Sequence, residues 1–524
     1  MHDPADLPPE LFDPIIDLAI CDRELTENHL CQLSLVNRRW HTFVFPRIYT
    51  KWIYDGAVHS FASLWSFVIT VLRTPHIAGM VRTLVIGNWG FNPYQVIGEV
   101  FKHTLHNSKY IREAIRCVGG SKLEDRIFRD LERGDCRPLV AVLLISLPNV
   151  RVVEAHIPRS DPVLGTVLQW ALERQRSAQE EGGTSPPPLA RLKSLRLWGE
   201  VHVEGNSNRD DTPLFLHDVW PVLLFPRLEV LRLSDVDVEG VKELLQKLGM
   251  GEGSSNVKNL TITCYQKTRG TSDDLRALLY PFTRLKSFSF YLVDPGWYGP
   301  DYDDSKRCIS NPDLWTFLAR HRETLEHLDI FRKQTGGSRY MGRFGPLTDF
   351  TRLTHLYIQP NVLFGAGETT DISLPQPLRE TLPPSGSALQ HLTIDCISGN
   401  NLLAVLDIYG DPRENILLNR TLPALKALRL EADRAHLEEL KPEPGWEAFR
   451  MSLEKAGVVV GFDHGDCWHP RHAVIVGGRL PRGGTCPALW KESFEMQEQG
   501  KIRWEEVRDL IDLRDYSEYS GAYY

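Results

Sequence analysis

The most regular feature of the chain is a short alternation of apolar and polar positions: one apolar residue, two others, an apolar, one other, an apolar. Its clear copies are LKSLRL from Leu192, LEVLRL from Leu228, LEHLDI from Leu325, LTHLYI from Leu353, LQHLTI from Leu389 and LKALRL from Leu425. Weaker copies are VRTLVI from Val81, VRVVEA from Val150, VKNLTI from Val257 and LKSFSF from Leu285. From Leu192 on, the starts lie 36, 29, 28, 40, 28, 36 and 36 residues apart. Each copy is short and β-compatible, and several follow a turn-forming FPR, FTR or LPA. Between copies lie helix-period segments such as DVEGVKELLQKLGM and SDDLRALLYPF. Strand, helix and strand in this recurrence predict parallel strands joined by crossovers, with a terminal strand near GVVVGFDH closing the array.

In such a strand the repeated apolar positions face the core, so the intervening residues face outward. The outward set is Arg196, Trp198, Arg232, Tyr291, Phe331 and Tyr357, with Ser234, Thr261, Thr263, Ser289, Asp329, Gln359, Thr393, Asp395, Arg429 and Glu431 among them. Exposed aromatics among arginines suit recognition of a protein. The alternative is that other parts of the chain cover this face and the aromatics are internal packing.

The first fifty residues follow a helical period. Leu7, Leu11, Ile15 and Leu18 share one face, with Pro14 placing the helix start near Asp13. Leu30, Leu33, Val36 and Trp40 share another, and Pro46 is expected to limit that helix. A unit this small buries little by itself, so it requires either a partner or the rest of its own chain.

These residues resemble an F-box: Leu7, Pro8, Glu10 and Leu11, an apolar helix through Ile15 and Leu18, then Leu33, Val36 and Trp40. Asn37 departs from the cysteine or serine of many members. The resemblance implies docking on the Skp adaptor of a cullin-RING ubiquitin ligase through Leu7, Pro8, Leu11, Ile15, Leu33, Val36 and Trp40. Phe43, Phe45, Ile48 and Tyr49 would then pack the unit onto the remainder. The recurrent strands resemble an irregular leucine-rich-repeat solenoid, although the periods are long and the expected asparagine occurs only as Asn361.

The expected fold is therefore α/β: a three-helix F-box in 1–50, a helical linker and first irregular repeats in 51–190, a leucine-rich-repeat-like solenoid with a parallel sheet in 191–464, and a tail in 465–524. Helices in 89–147 are expected to join the F-box to the array, and 176–188, RSAQEEGGTSPPP, to form an exposed loop. The implied function is non-catalytic: a substrate-receptor subunit presenting a protein substrate for ubiquitination and proteasomal degradation. The alternative is a repeat scaffold whose F-box-like segment caps the array, burying Leu33 and Trp40 against the first repeat.

Composition changes this picture little. A chain of 524 residues with 42% apolar and 24% charged content exceeds one core, which fits several domains or an extended repeat. The formal net charge of −8 gives no general reason for nucleic-acid or membrane binding. No run reaches the roughly 18 apolar residues of a membrane span, and the expected location is intracellular, cytoplasm or nucleus. Nine scattered cysteines without a C-x-x-C pair read as reduced thiols.

Candidate chemistry is sparse, and no cofactor or metal is expected. His464, Cys467, His469, His472 and Cys486 supply zinc-type donors, but their spacing fits no standard finger. Asp301, Asp303 and Asp304 lack the glycine and distal glutamate of a calcium loop, and VGGRLPRGGT in 476–485 lacks the ending of a phosphate-cradling loop. No signature of a serine hydrolase, a zinc protease helix or a dinucleotide site occurs.

Overall fold

The structure is a computed structural model. It describes residues 11, 14–16, 18–19, 27–56, 59–87, 108–132, 137–157, 162–181, 187–199, 213–265, 271–293, 309–333, 342–359, 362–363, 382–383, 388–396, 424–432 and 459–464. The main element is one parallel sheet of twelve strands. Its first half contains β1 (Lys51–Asp55), β2 (Thr83–Gly87), β3 (Val152–His156), β4 (Ser194–Trp198), β6 (Val230–Ser234) and β8 (Asn259–Tyr265). The second half contains β9 (Ser287–Val293), β10 (His327–Lys333), β11 (His355–Ile358), β12 (His391–Cys396), β13 (Ala427–Ala432) and β14 (Val459–His464). Short strands β5 (Leu214–Phe215) and β7 (Val236–Asp237) pair separately. Spatial order equals chain order, as in a stack of crossover units.

All ten copies of the apolar pattern become neighbouring strands. Their fourth positions form one line across the sheet: Leu195 pairs with Leu231, which continues through Leu260, Phe288, Leu328, Leu356, Leu392 and Leu428. Strand entry is equally uniform. The Lys193 carbonyl accepts from Glu229 and Val230 N–H at 2.9 and 3.0 Å, and Glu229 does the same for Lys258 and Asn259 at 2.8 and 3.0 Å. This two-for-one ladder continues to the Gln390 carbonyl, which accepts from Lys426 and Ala427. Satisfying the backbone in this way fixes the start of each strand whatever the length of the preceding crossover.

Before several strands, a buried residue three positions ahead of the first apolar closes a turn. Leu228 N–H donates to the Phe225 carbonyl and Leu353 N–H to that of Phe350, both at 3.2 Å, and both phenylalanines are buried. Crossover helices are capped by their own sequence. Thr271 and Asp274 form a reciprocal box at the start of Ser272–Leu279, and the Ser310 hydroxyl accepts from Asp313 N–H before Asn311–Leu318. One continuous apolar core lies between the strands and these helices.

Two strands of the twelve-stranded sheet lie outside the ten copies. β14 is the terminal strand expected near GVVVGFDH and pairs with β13. β1 escapes the pattern because KWIYD carries no leucine repeat, yet it pairs with β2 in register, Trp52 opposite Leu84. The helices Ser108–Glu132 and Arg137–Ser146 consequently do not join the N-terminal unit to the array. They form the crossover between β2 and β3, because two strands already precede them. The helix Pro162–Glu181 also extends through 176–181, part of the stretch expected to be a loop.

The N-terminal helical unit has its own small core of Ile16, Leu30, Trp40 and Val44, with Leu33, Phe43 and Ile48 against it. The helix is interrupted at 35–37, between Glu27–Ser34 and Arg38–Thr50, and Pro46 sits inside the second helix rather than ending it. Asn37 explains the break. Its side-chain oxygen accepts from Trp40 N–H at 2.9 Å, which caps the second helix.

Candidate interaction surfaces

The helical unit hides some apolar residues and displays others. Leu30 and Trp40 point into its core, so the exposed surface is made by Leu11, Ile15, Leu18, Leu35 and Val36. Leu35 is 83% exposed and Leu18 62%, high values for leucines in a segment otherwise organised around apolar contacts. Among the described residues, the large exposed apolar side chains elsewhere are Ile53 and Tyr280. Exposed aliphatic side chains concentrated in one small unit are a feature of interaction surfaces.

The expected adaptor contacts therefore divide. Leu11, Ile15 and Val36 are on the surface, Leu33 is half-buried, Trp40 is internal, and Leu7 and Pro8 lie outside the described residues. Leu35 is a surface residue that periodicity missed, because it falls in the turn after the helix rather than on the counted face. The four residues expected to fix the unit to the array divide as well. Phe43 and Ile48 pack into the unit's own core, whereas Phe45 stacks on His76 at 6.0 Å and lies 5.0 Å from the Tyr49 ring. Among the described residues, Leu33 and Trp40 belong to the unit's own core rather than to that of the array, where a pure cap would place them.

The outward face of the sheet is less open than the alternation implied. Trp198, Tyr291, Phe331 and Tyr357 are buried, and the last three form a small cluster of their own opposite the main core. The alternation was correct about the side of the sheet and wrong about exposure. In register, Phe331 faces Tyr291, and Tyr357 faces Asp329, whose carboxylate accepts from the Tyr291 hydroxyl. Ser234, Thr263 and Gln359 are also buried; Thr261, Ser289, Asp329 and Thr393 are half-buried. Asp395, Arg429 and Glu431 occupy strand positions whose side chains lie outside the described set.

Arg196 and Arg232 are half-buried neighbours across β4 and β6. The Arg196 guanidinium lies 5.5 Å from the Trp198 ring centroid and 3.9 Å from the Glu154 carboxylate on β3. Both contacts hold it along the sheet. Arg332 is wholly buried: its guanidinium donates to the Ile309 carbonyl, its N–H donates to Gln359 Oε1 at 2.6 Å, and it lies 5.9 Å from the Phe290 ring centroid. It ties β10 to β11 and to the entry of the helix Asn311–Leu318.

Sequence reading also passed over three histidines at one repeat position. His327, His355 and His391 are in register and stack with ring centroids 4.2 and 4.3 Å apart. The signal was visible as EHL, THL and QHL, but a search for apolar periodicity does not weigh it. His321 is different: it is buried with neither ring nitrogen hydrogen-bonded, and burial, aided by Arg320, lowers its pKa to about 4.

The metal-type donors at Cys467, His469, His472 and Cys486, the aspartates at 301, 303 and 304, and the glycine-rich 476–485 lie outside the described residues; His464 ends β14. Among the described residues no group of three or more histidine, cysteine or acidic side chains is arranged for a metal ion. None of the described helices is long and apolar enough to cross a membrane. No family model and no curated protein matches this chain.

Proposed function

We propose that the protein is a substrate-receptor subunit of a Skp, cullin and RING ubiquitin ligase, its N-terminal unit an F-box and its sheet a leucine-rich-repeat-like solenoid. The observation that carries this reading is the apolar surface of Leu11, Ile15, Leu18, Leu35 and Val36, displayed by a unit that already has its own core. Covering five large aliphatic side chains requires a partner surface, and aliphatic anchors of this type dominate desolvated interfaces. A scaffold with a built-in cap would turn these side chains inward, so their exposure favours the adaptor reading over that alternative.

The protein would contribute proximity, with the ubiquitin-transfer chemistry on other subunits. The strand array would hold a protein substrate. Because the aromatics of the outward face are buried, the substrate surface would be built from half-buried polar groups such as Arg232, Thr261 and Thr393 together with the array's edges.

The test uses surface positions rather than the core. Leu35→Glu combined with Val36→Glu is expected to abolish co-purification with Skp and cullin while leaving the thermal midpoint of the protein unchanged. Trp40→Ala, by contrast, should destabilise the helical unit itself by about 3 kcal/mol. Skp capture undiminished in the Leu35 and Val36 variant would overturn the adaptor assignment.

A further inference from the structure

The strand entries carry a second pattern beneath the apolar one. The residue before the first apolar position is Arg191, Arg227, Arg284 or Arg352 in four repeats. The residue after it is Arg82, Arg151, Lys193, Lys258, Lys286 or Lys426 in six, and acidic only at Glu229 and Glu326. This edge is basic on a chain whose formal net charge is −8. The carbonyl ladder stacks the side chains in a row: Arg82 O accepts from Arg151 N–H at 2.7 Å and Arg151 O from Lys193 N–H at 2.8 Å. Successive side chains thus emerge about 4.8 Å apart.

Further along the row, acids neutralise the charge: Lys258 Nζ lies 3.0 Å from Glu229 and Lys286 Nζ 2.7 Å from Glu326. The first three repeats differ. Arg82 is half-buried and its guanidinium donates to the Gly79 carbonyl at 2.6 Å, and the charged neighbours acting on it are Arg151 and Arg191, of its own sign. Arg151 and Arg191 are exposed and form no ion pair among the described residues. Three like charges held close by a rigid backbone raise the local potential and favour an anion that shares them.

We propose that Arg82, Arg151 and Arg191 form a docking site for an acidic protein segment, one bearing clustered aspartate, glutamate or phosphoserine. A protein segment fits better than a nucleic acid for two reasons. The uncompensated block spans three rungs, about 10 Å, before Glu229 interrupts it, which is short for a phosphodiester footprint. No exposed large aromatic accompanies it among the described residues, so single-stranded bases find no stacking platform. The site uses a surface separate from the adaptor patch and does not rest on the proposed function.

The test is fluorescence anisotropy of the full chain with a labelled deca-glutamate peptide, its counterpart carrying phosphoserines, and a polyuridine strand of equal length. Both acidic peptides should bind at low salt and lose about tenfold in affinity at high salt. Arg151→Glu with Arg191→Glu should weaken peptide binding at least about tenfold without moving the thermal midpoint. Arg352→Glu at the far end should leave binding unchanged, and Arg151→Lys with Arg191→Lys should retain most of it. Failure of both peptides to bind, a charge-reversed variant with unaltered affinity, or tighter binding of polyuridine would each overturn the proposal.

Discussion

His321 shows how a single side chain is placed by a repeat rather than by its own chemistry. It accepts, through its carbonyl, the N–H groups of Thr324 and Leu325 at 2.9 Å, closing the turn into its strand from four positions ahead of the first apolar residue, where Phe225 and Phe350 close theirs from three. An imidazole in that apolar slot stays neutral, with a pKa lowered from 6.5 to about 4 by burial and the Arg320 charge. The unfolded chain therefore binds a proton between these values that the folded chain refuses, so stability is full near neutrality and falls as pH drops from about 6.5 towards 4. Urea denaturation at pH 7 and pH 5 should show a loss of about 2 kcal/mol from this site. His321→Phe is expected to remove that component and leave the remaining pH dependence of the wild type. Arg332 makes a complementary point. Its residue type gives no hint of burial, and only the convergence of Ile309, Phe290 and Gln359 around it explains its location.

At the level of elements, local capping decides boundaries that apolar spacing leaves open. Leu30, Leu33, Val36 and Trp40 fit one continuous helix by spacing, yet Asn37 divides it. Asn37→Ala should cost about 1 kcal/mol and Asn37→Ser much less, as measured by chemical denaturation, because the capping acceptor is lost in the first and kept in the second. The ten strands were legible because each copy presents leucine or a close substitute at the same three places. β1 was not, since Trp52 and Tyr54 serve there with no repeat to announce them. The buried state of Trp198, Tyr291, Phe331 and Tyr357 was illegible for a different reason. Alternation reports the side of a strand and carries no information about what lies over that side. The exposed set Leu11, Ile15 and Val36 could be named from the family resemblance, whereas Leu35 required the turn geometry.

Across the whole molecule, variable crossovers and invariant strand entries coexist. Spacings from 28 to 40 residues all return to the same carbonyl ladder, so added length is absorbed outside the sheet. The same constancy keeps side chains of like position in rows, which produces the apolar line through Leu195 and Leu428, the stacked histidines and the basic edge. Two of those rows were present in the sequence and passed unnoticed, because they occupy places between the leucines. The overall acidity of the chain was likewise a poor guide to local charge at Arg82, Arg151 and Arg191.

Because spatial order equals chain order from β1 to β14, the array has a mechanical character. Tension applied between residues 51 and 464 would detach terminal strands and work inward, one repeat at a time, instead of shearing all twelve together. In a single-molecule pulling experiment the chain is expected to yield a sawtooth whose steps differ in length. With spacings of 28 and 40 residues, detached repeats would release about 100 and 140 Å respectively at about 3.6 Å per residue. The irregular crossovers would thus be read out directly as unequal extensions along a uniform sequence of ruptures.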